Sequence, residues 1–376
     1  MAMNQITDHI YLGSYTALSG QKSFGEKGIT HILSLLSGEV APSITPFGGQ
    51  SGTALYETFT RGYTTLRIDI DDVEDENIMQ YFDQTNKFIS EAISSGGIVF
   101  VHCMAGVSRS TTAVCAYLMK DNFWSASEAL DFVKSKRSVA NPNESFYKQL
   151  EVYYQCAYQV SESHPVYRQW LLQSQAEDSK YTRLAPKAIY ASSPPPSLIP
   201  VESQESYKSI PELLRRLGNA DGAKNWNNYR LVSGNHVWEL TETPSQPVTE
   251  LRDISNSESD PIPITQDALT GTTSDFKCRK CRSVLSTSAF SIPHQPPEGV
   301  SGQQCAFFME PLKWMKPELE KGELEGKLAC PKCDSKVGAY HWQGSKCVCG
   351  TWVTPAICLQ RAKIDQVVRR YNRAKA

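Results

Sequence analysis

Over the first 160 residues the hydrophobic positions fall into two patterns. Ile98 to Val101 is a short unbroken apolar run, as expected of a buried strand. Gly28 to Leu36 predicts a second buried strand, and Ile6 to Ser14 a short one with a glycine stop. Leu66 to Asp75 begins as an alternating strand and becomes an acidic loop. Between these runs the period becomes helical. Glu76 to Ile93 places Ile78, Phe82, Phe88, Ile89 and Ala92 on one side. Ser110 to Lys120 is apolar at helical spacing without Gly or Pro. Ser125 to Glu128 reads as a capping box for a helix through Val133. Residues 37–62 are rich in Gly, Pro, Ser and Thr and read as a long surface loop.

The strand ending at His102 and Cys103 runs into a loop with one glycine, Gly106, then Arg109 and a helix. Strand, tight loop and helix N-terminus gather backbone N–H groups around an anion. A cysteine at the mouth of such a loop faces those dipoles, which favour thiolate over thiol. Arg109 offers a planar fork for two phosphate oxygens. A nucleophile inside a phosphate cradle implies attack on phosphorus and a cysteinyl-phosphate intermediate. Ester cleavage also needs a proton for the leaving oxygen. Asp69, Asp71 and Asp72 are the candidates to supply it. Cys115, on the following helix, and Cys156 read as buried thiols, and His31 as a structural strand residue.

The pattern His102-Cys103-x5-Arg109 resembles the signature loop of the cysteine-dependent protein phosphatases. Its Ala105-Gly106-Val107-Ser108-Arg109-Ser110 segment is similar to the dual-specificity branch. The resemblance implies Cys103 as nucleophile, Arg109 as phosphate ligand and the Ser110 hydroxyl as an aid to the leaving thiolate, beside His102. It implies that Met104, Ala105, Gly106, Val107, Ser108 and Arg109 wrap the phosphate. In that family the acid lies on a loop before the cysteine strand. Counting back from the helix near Ile78 gives this place to Asp72, with Asp71 next. Asn141 to Leu150 resembles the closing motif, with Asn143 capping the last helix. The implied fold for residues 1–160 is α/β, a central mixed and mostly parallel sheet with helices on both faces. No cofactor is implied for catalysis.

The chain has 376 residues, 40% hydrophobic and 21% charged, which leaves room for further domains in an ordinary soluble protein. No apolar run approaches the ~20 residues of a membrane span. The first residues lack the basic and apolar features of a secretory leader. Residues 161–275 read as a partly ordered connector, broken by Ser193-Pro-Pro-Pro-Ser197 and flexible over 241–274. Short helices are predicted at Tyr167–Gln175 and Pro211–Gly218.

Eleven cysteines change the picture at the other end. Residues 276–376 read as a small β-rich zinc module. Cys278, Cys281, His294, Cys305, Cys330, Cys333, Cys347 and Cys349 are enough ligands for two tetrahedral structural zinc ions. The preferred pairing puts Cys278, Cys281, Cys330 and Cys333 at one ion, and His294, Cys305, Cys347 and Cys349 at the other. His341 reads as a packed or surface residue and Cys358 as a core residue. The apolar stock, including Phe308, Trp314, Trp342, Trp352 and Ile357, predicts a small core that depends on metal. A basic helix is predicted over Ala362–Lys375. From Phe276 to Ala376 there are 17 Lys+Arg against 8 Asp+Glu, so the net +9 there leaves −11 for the rest. A basic end on an acidic body suggests an anionic partner, although thiolate ligands balance part of the excess.

The segments Phe308–Met315, Gly326–Cys333 and Cys349–Ala356 carry a second resemblance, to eukaryotic dual-specificity phosphatases with a C-terminal zinc-binding domain. That resemblance implies a monomer of the nucleus and cytoplasm that acts on a phosphoprotein. It implies a zinc domain that docks on pre-60S ribosomal particles, at rRNA and ribosomal proteins near the stalk base, and promotes release of a placeholder protein. The alternative is mainly a ribosome-assembly binding factor whose phosphatase activity is dispensable.

Overall fold

A computed structural model describes residues 3–38, 52–162, 164–191, 229–232, 237–240, 272–292, 294, 296–297 and 305–370. They divide into two units, with the boundary after Trp170. In the first unit the predicted strand over Ile6–Ser14 is a hairpin, β1 (Met3–Thr7) and β2 (Ile10–Ser14), paired antiparallel. β3 (His31–Leu36), β4 (Thr64–Asp69) and β5 (Val99–Cys103) complete a sheet of order β1-β2-β5-β3-β4. β2, β5, β3 and β4 run parallel. All five residues of β5 are buried: the apolar run through Val101 requires this of the first three, and His102 and Cys103 are buried with them.

The register decides where the chemistry sits. Ser14 lies beside Cys103 and Leu36 beside Asp69, so four parallel strands end at one edge of the sheet. Ligands of open α/β sheets bind at that carboxyl edge. The helices are α1 (Gln21–Glu26), α2 (Gly52–Thr60), α3 (Phe82–Ser94), α4 (Arg109–Asn122), α5 (Ala126–Lys136) and α6 (Glu144–Gln155). α2 corrects the predicted loop over 37–62, of which residues 39–51 lie outside the described residues. It is anchored by buried Tyr56, whose hydroxyl meets Ser34 Oγ at 2.9 Å. The Ser125–Glu128 capping box is formed, and Asn143 Oδ1 accepts from Phe146 N at 2.8 Å.

α7 (Pro165–Thr182) is longer than the predicted Tyr167–Gln175 helix, and the unit boundary falls within it. The predicted Pro211–Gly218 helix lies outside the described residues. Leu172 and Ala191 are buried in the core of the second unit, and Ala191 N donates to Pro311 O at 3.0 Å. Residues expected in a partly ordered connector therefore help to build the module beyond it. The described connector also holds a hairpin of β6 (Tyr229–Val232) and β7 (Val237–Leu240).

The rest of the second unit is β-rich. β8 (Thr272–Cys278) and β9 (Val284–Thr287) form one sheet with a last strand. β10 (Phe307–Phe308), β11 (Glu325–Ala329) and β12 (Lys336–His341) enter a second, which a short helix, α8 (Lys316–Leu319), precedes in part. β13 (Ser345–Lys346) pairs with β14 (Trp352–Val353), and β15 (Ala356–Leu359) joins β10 to β12. The last strand, β16 (Ile364–Arg370), replaces the helix predicted over Ala362–Lys375. It pairs antiparallel with β8 from Ile364 to Arg370, and Ile364 is buried there. Three β-branched residues, Ile364, Val367 and Val368, suit a strand, and β8 gives their backbone its partners. Trp342, Leu328, Val337 and Ile357 are fully packed, whereas Trp352 is 60% exposed.

Candidate active site and metal centres

Cys103 ends the central strand β5, is buried, and meets two donors. Gly106 N and Ser110 Oγ each point to its Sγ at 3.2 Å. The carbonyls of residues 104 to 108 all accept from outside the loop. Met104 O takes Tyr15 N (3.1 Å), Val107 O takes Asn141 N (2.8 Å) and Ser108 O takes Thr112 N (2.9 Å). Arg137 Nε donates to Gly106 O at 2.8 Å and its Nη2 to Ala105 O at 3.4 Å. In a trans peptide the next N–H opposes its carbonyl, so outward carbonyls turn the N–H groups of 105 to 109 inward. Gly106 has φ +69, and a Cβ there would lie 2.3 Å from Gly13 O, so only glycine closes the loop against β2.

Arg109 opens α4 and is buried. Its Nη1 donates to Ile70 O at 2.9 Å, while its buried Nε makes no hydrogen bond among the described residues. Nε faces Asp72 Oδ2 at 3.7 Å. Of the three candidate acids only Asp72 reaches this loop. Asp69 instead accepts from Gly38 N at 2.7 Å, and Asp71 is exposed.

His102 is fully buried, and burial, aided by the Arg109 charge, drives its pKa down to about 4 against the Cys103 carbonyl bond. Its Nδ1 meets Cys103 O at 3.3 Å and its Nε2 meets Ser34 Oγ at 2.7 Å. A carbonyl only accepts, so the neutral ring donates from Nδ1, and Ser34, itself bonded to Tyr56, donates to Nε2. Cys115 and Cys156 are buried neutral thiols: burial raises both, that of Cys156 to about 12. His31 bonds Thr30 Oγ1 at 2.8 Å, a structural contact.

In the second unit, two clusters bring together the ligand atoms of Cys278, Cys281, Cys330 and Cys333, and of His294, Cys305, Cys347 and Cys349. Within each, all ligand atoms lie within 4.8 Å of one another. The Cys278–Cys333 and Cys281–Cys330 sulfurs are 3.8 and 3.6 Å apart. A tetrahedral zinc with ~2.3 Å bonds to sulfur has edges of about 3.8 Å. Cys349 Sγ and His294 Nε2, at 3.4 Å, fit the shorter mixed edge. Both donor sets are those of closed structural zinc sites. His341 belongs to neither; its Nδ1 meets Glu325 Oε2 at 2.9 Å.

The knuckles share a device that the spacing of cysteines alone does not reveal. After each cysteine pair comes a residue of positive φ, Arg282 (64°), Asp334 (53°) or Gly350 (93°). One residue later comes a hydroxyl, Ser283, Ser335 or Thr351. Ser283 Oγ lies 3.0 Å from Cys281 Sγ, Ser335 Oγ 3.0 Å from Cys333 Sγ and Thr351 Oγ1 3.4 Å from Cys349 Sγ. The Ser283 hydroxyl lowers the Cys281 pKa, and that of Thr351 brings Cys349 to about 6, toward the thiolate a metal needs. The repeat is visible in the sequence as Cys-x-x-Cys-x-Ser at the first two knuckles and as Cys-x-Cys-x-Thr at the third. Arg137, Ser34 and Tyr56 left no such signal, because each reaches the site from a distant element.

The family profile described as "Dual specificity phosphatase, catalytic domain" matches residues 10–156. Tyrosine-protein phosphatase yvh1 of Schizosaccharomyces pombe is 31% identical over 97% of this chain and 85% of its own length. Tyrosine-protein phosphatase YVH1 of Saccharomyces cerevisiae is 32% identical over 97% and 91%. The chain belongs to the Yvh1 dual-specificity protein phosphatases. Dual specificity protein phosphatase 12 of Mus musculus is similar at 28% identity over 96% of this chain and 88% of its own. The crystal structure of the Yvh1 phosphatase domain from Chaetomium thermophilum is 32% identical, with TM-score 0.34, over 41% of this chain and 95% of that one. As a Yvh1-type enzyme the chain is a dual-specificity protein phosphatase. Among the described residues no helix is long and apolar enough to cross a membrane.

Proposed function

We propose that this Yvh1-type enzyme hydrolyses phosphate monoesters of Ser, Thr and Tyr in proteins through Cys103. The thiolate attacks phosphorus, the phosphorus–oxygen ester bond breaks, and Asp72 gives its proton to the leaving oxygen. Inward N–H groups of the 104–109 loop and the Arg109 guanidinium hold the phosphoryl oxygens. Asp72 then takes a proton from water, which attacks the cysteinyl phosphate; Ser110 Oγ stabilises the departing thiolate. The observation that carries this reading is Cys103 Sγ, 3.2 Å from both Gly106 N and Ser110 Oγ, in a loop whose carbonyls all face away.

The test is vanadate-sensitive turnover of p-nitrophenyl phosphate by the whole chain. Cys103→Ser should lose essentially all of it, and Arg109→Lys nearly as much, while both retain metal. Activity in Cys103→Ser within about tenfold of the parent would overturn the assignment.

A second part concerns the metal module. We propose that it holds two zinc ions and docks on pre-60S ribosomal particles in nucleus and cytoplasm, where it promotes release of a placeholder protein. The resemblance of Phe308–Met315, Gly326–Cys333 and Cys349–Ala356 to zinc domains of that type supports it, as does the +9 excess of basic residues. Cells carrying Cys103→Ser should then assemble large subunits, and cells carrying Cys330→Ser should not. The reverse result would make catalysis the essential task.

A further inference from the structure

The outer face of the β13–β14 hairpin carries an aromatic ring that the fold leaves bare. Lys346 and Trp352 are directly opposed in the register, so their side chains share one face. The neighbouring pair, Ser345 and Val353, turns the other way, and Val353 is buried. Trp352 is 60% exposed, and Val348, between the two strands, is 76% exposed. An exposed indole alone carries no meaning. This one is held still. Its Nε1 donates to Thr354 Oγ1 at 3.0 Å. Gly344, at φ +94, leaves room for that contact: a Cβ there would lie 2.5 Å from Trp352 Nε1 and closer still to Thr354 Oγ1. The ring is thus oriented before anything binds, and a partner need not order it.

The surroundings select the partner. From Ser335 to Ile364 the chain has no Asp or Glu, but it has Lys336, Lys346, Arg361 and Lys363. Lys346 is exposed on the face of the indole. Arg361, also exposed, donates from Nε to the carbonyl of Cys305 in the second metal cluster at 3.2 Å. One indole and one valine are too little apolar surface for the core of a stable protein interface. A flat ring with a cation beside it is what a single nucleic-acid strand needs, the ring for a base and the cation for a phosphate. We propose that Trp352 stacks an unpaired base of RNA, with Lys346 on the adjoining phosphate. This rests on the docking reading of the metal module only for the choice of RNA as the polyanion, since neither side chain reads a 2′-hydroxyl.

The probe is a fluorescein-labelled oligouridylate of about 12 nucleotides, titrated with the whole zinc-loaded chain and followed by anisotropy. Trp352→Ala should weaken binding by about tenfold or more, as the loss of one stacked base does. Trp352→Phe, which keeps a ring, should regain most of it. Lys346→Gln should cost a few-fold and flatten the salt dependence. A duplex of the same strand with its complement, whose bases are already stacked, should compete poorly. Each variant should keep the zinc content and the p-nitrophenyl phosphate turnover of the parent, so that a loss reports the side chain and not the fold. Equal affinity in Trp352→Ala and parent, or no binding by the parent, would overturn the proposal. Co-sedimentation with pre-60S particles separates the two levels. If the parent sediments with particles while Trp352→Ala leaves oligonucleotide binding unchanged, only the stacking role falls. If the parent binds the oligonucleotide through Trp352 but never joins particles, stacking stands and the docking reading falls.

Discussion

The two units solve a similar local problem in opposite ways. Each surrounds cysteine sulfur with an amide-rich turn and a hydroxyl: Ser110 beside Cys103, Ser283 beside Cys281, Thr351 beside Cys349. In the first unit one sulfur stands at the end of a buried strand, and hydrophobic packing of Phe24, Ile32 and Phe100 supports its sheet. In the second, four donors converge within 4.8 Å, an arrangement that repels itself once ionised and calls for a cation. A single sulfur faced by a loop N–H and a hydroxyl is the arrangement that the proposed attack on phosphorus needs. Clustered cysteines have the geometry to hold a metal, and the proposed zinc ions would tie that unit together.

Removing metal is the most severe way to break that contrast. Structural zinc contributes on the order of 10 kcal/mol per site in small domains. Chelation of the whole protein should melt the second unit, seen as lost hydrogen-exchange protection in β8, β12 and β15. Phosphatase turnover should persist, because the first unit has its own core. Metal analysis before chelation should find two zinc ions per chain. Protection that survives full metal loss would show that packing alone holds the module.

The next contrast concerns where the module begins. Leu172 lies on α7, a hundred residues before the first ligand, yet it is 1% exposed in the core with Trp342 and Ile357. Leu172→Ala should cost the second unit about 2–5 kcal/mol, read as a lower unfolding midpoint of the zinc-loaded chain, with turnover unchanged. A midpoint within error of the parent would return residues 171–191 to the role of a connector.

That result also bears on what the sequence disclosed. Local signals were legible: the β5 run, the loop with Gly106, the Ser125 capping box and the paired cysteines each act over a few residues. The boundary within α7 was not, because Leu172 and Ala191 are buried by residues far along the chain. Likewise β16 reads as a basic helix until β8 is known to be its partner. The α2 helix was hidden in a stretch rich in Thr and Gly, and Tyr56 is anchored by Ser34 on β3. At the site, spacing could nominate Asp69, Asp71 and Asp72. The resemblance gave the place to Asp72, and the folded loop supplies the contacts: Asp72 faces Arg109, whereas Asp69 accepts from Gly38 N.

Acid separates the two units by the number of protons each must take up. In the first, the decisive group is His102, whose pKa burial lowers to about 4. The unfolded chain binds a proton near the ordinary histidine value of ~6.5, whereas the native ring stays neutral. Unfolded chains therefore bind more protons between those limits, and native stability falls as pH drops through that window. The penalty is absent above the upper limit and approaches about 3 kcal/mol below the lower one. It is a one-proton effect with a shallow slope. Metal release from the second unit replaces several thiolate bonds with protons and should be steeper. Protection of β5 and α4 amides, followed by hydrogen exchange across that range, should decline in the parent but much less in His102→Asn, which has no ring to protonate. A parallel decline in both would mean that His102 is not the group that makes this site sensitive to acid.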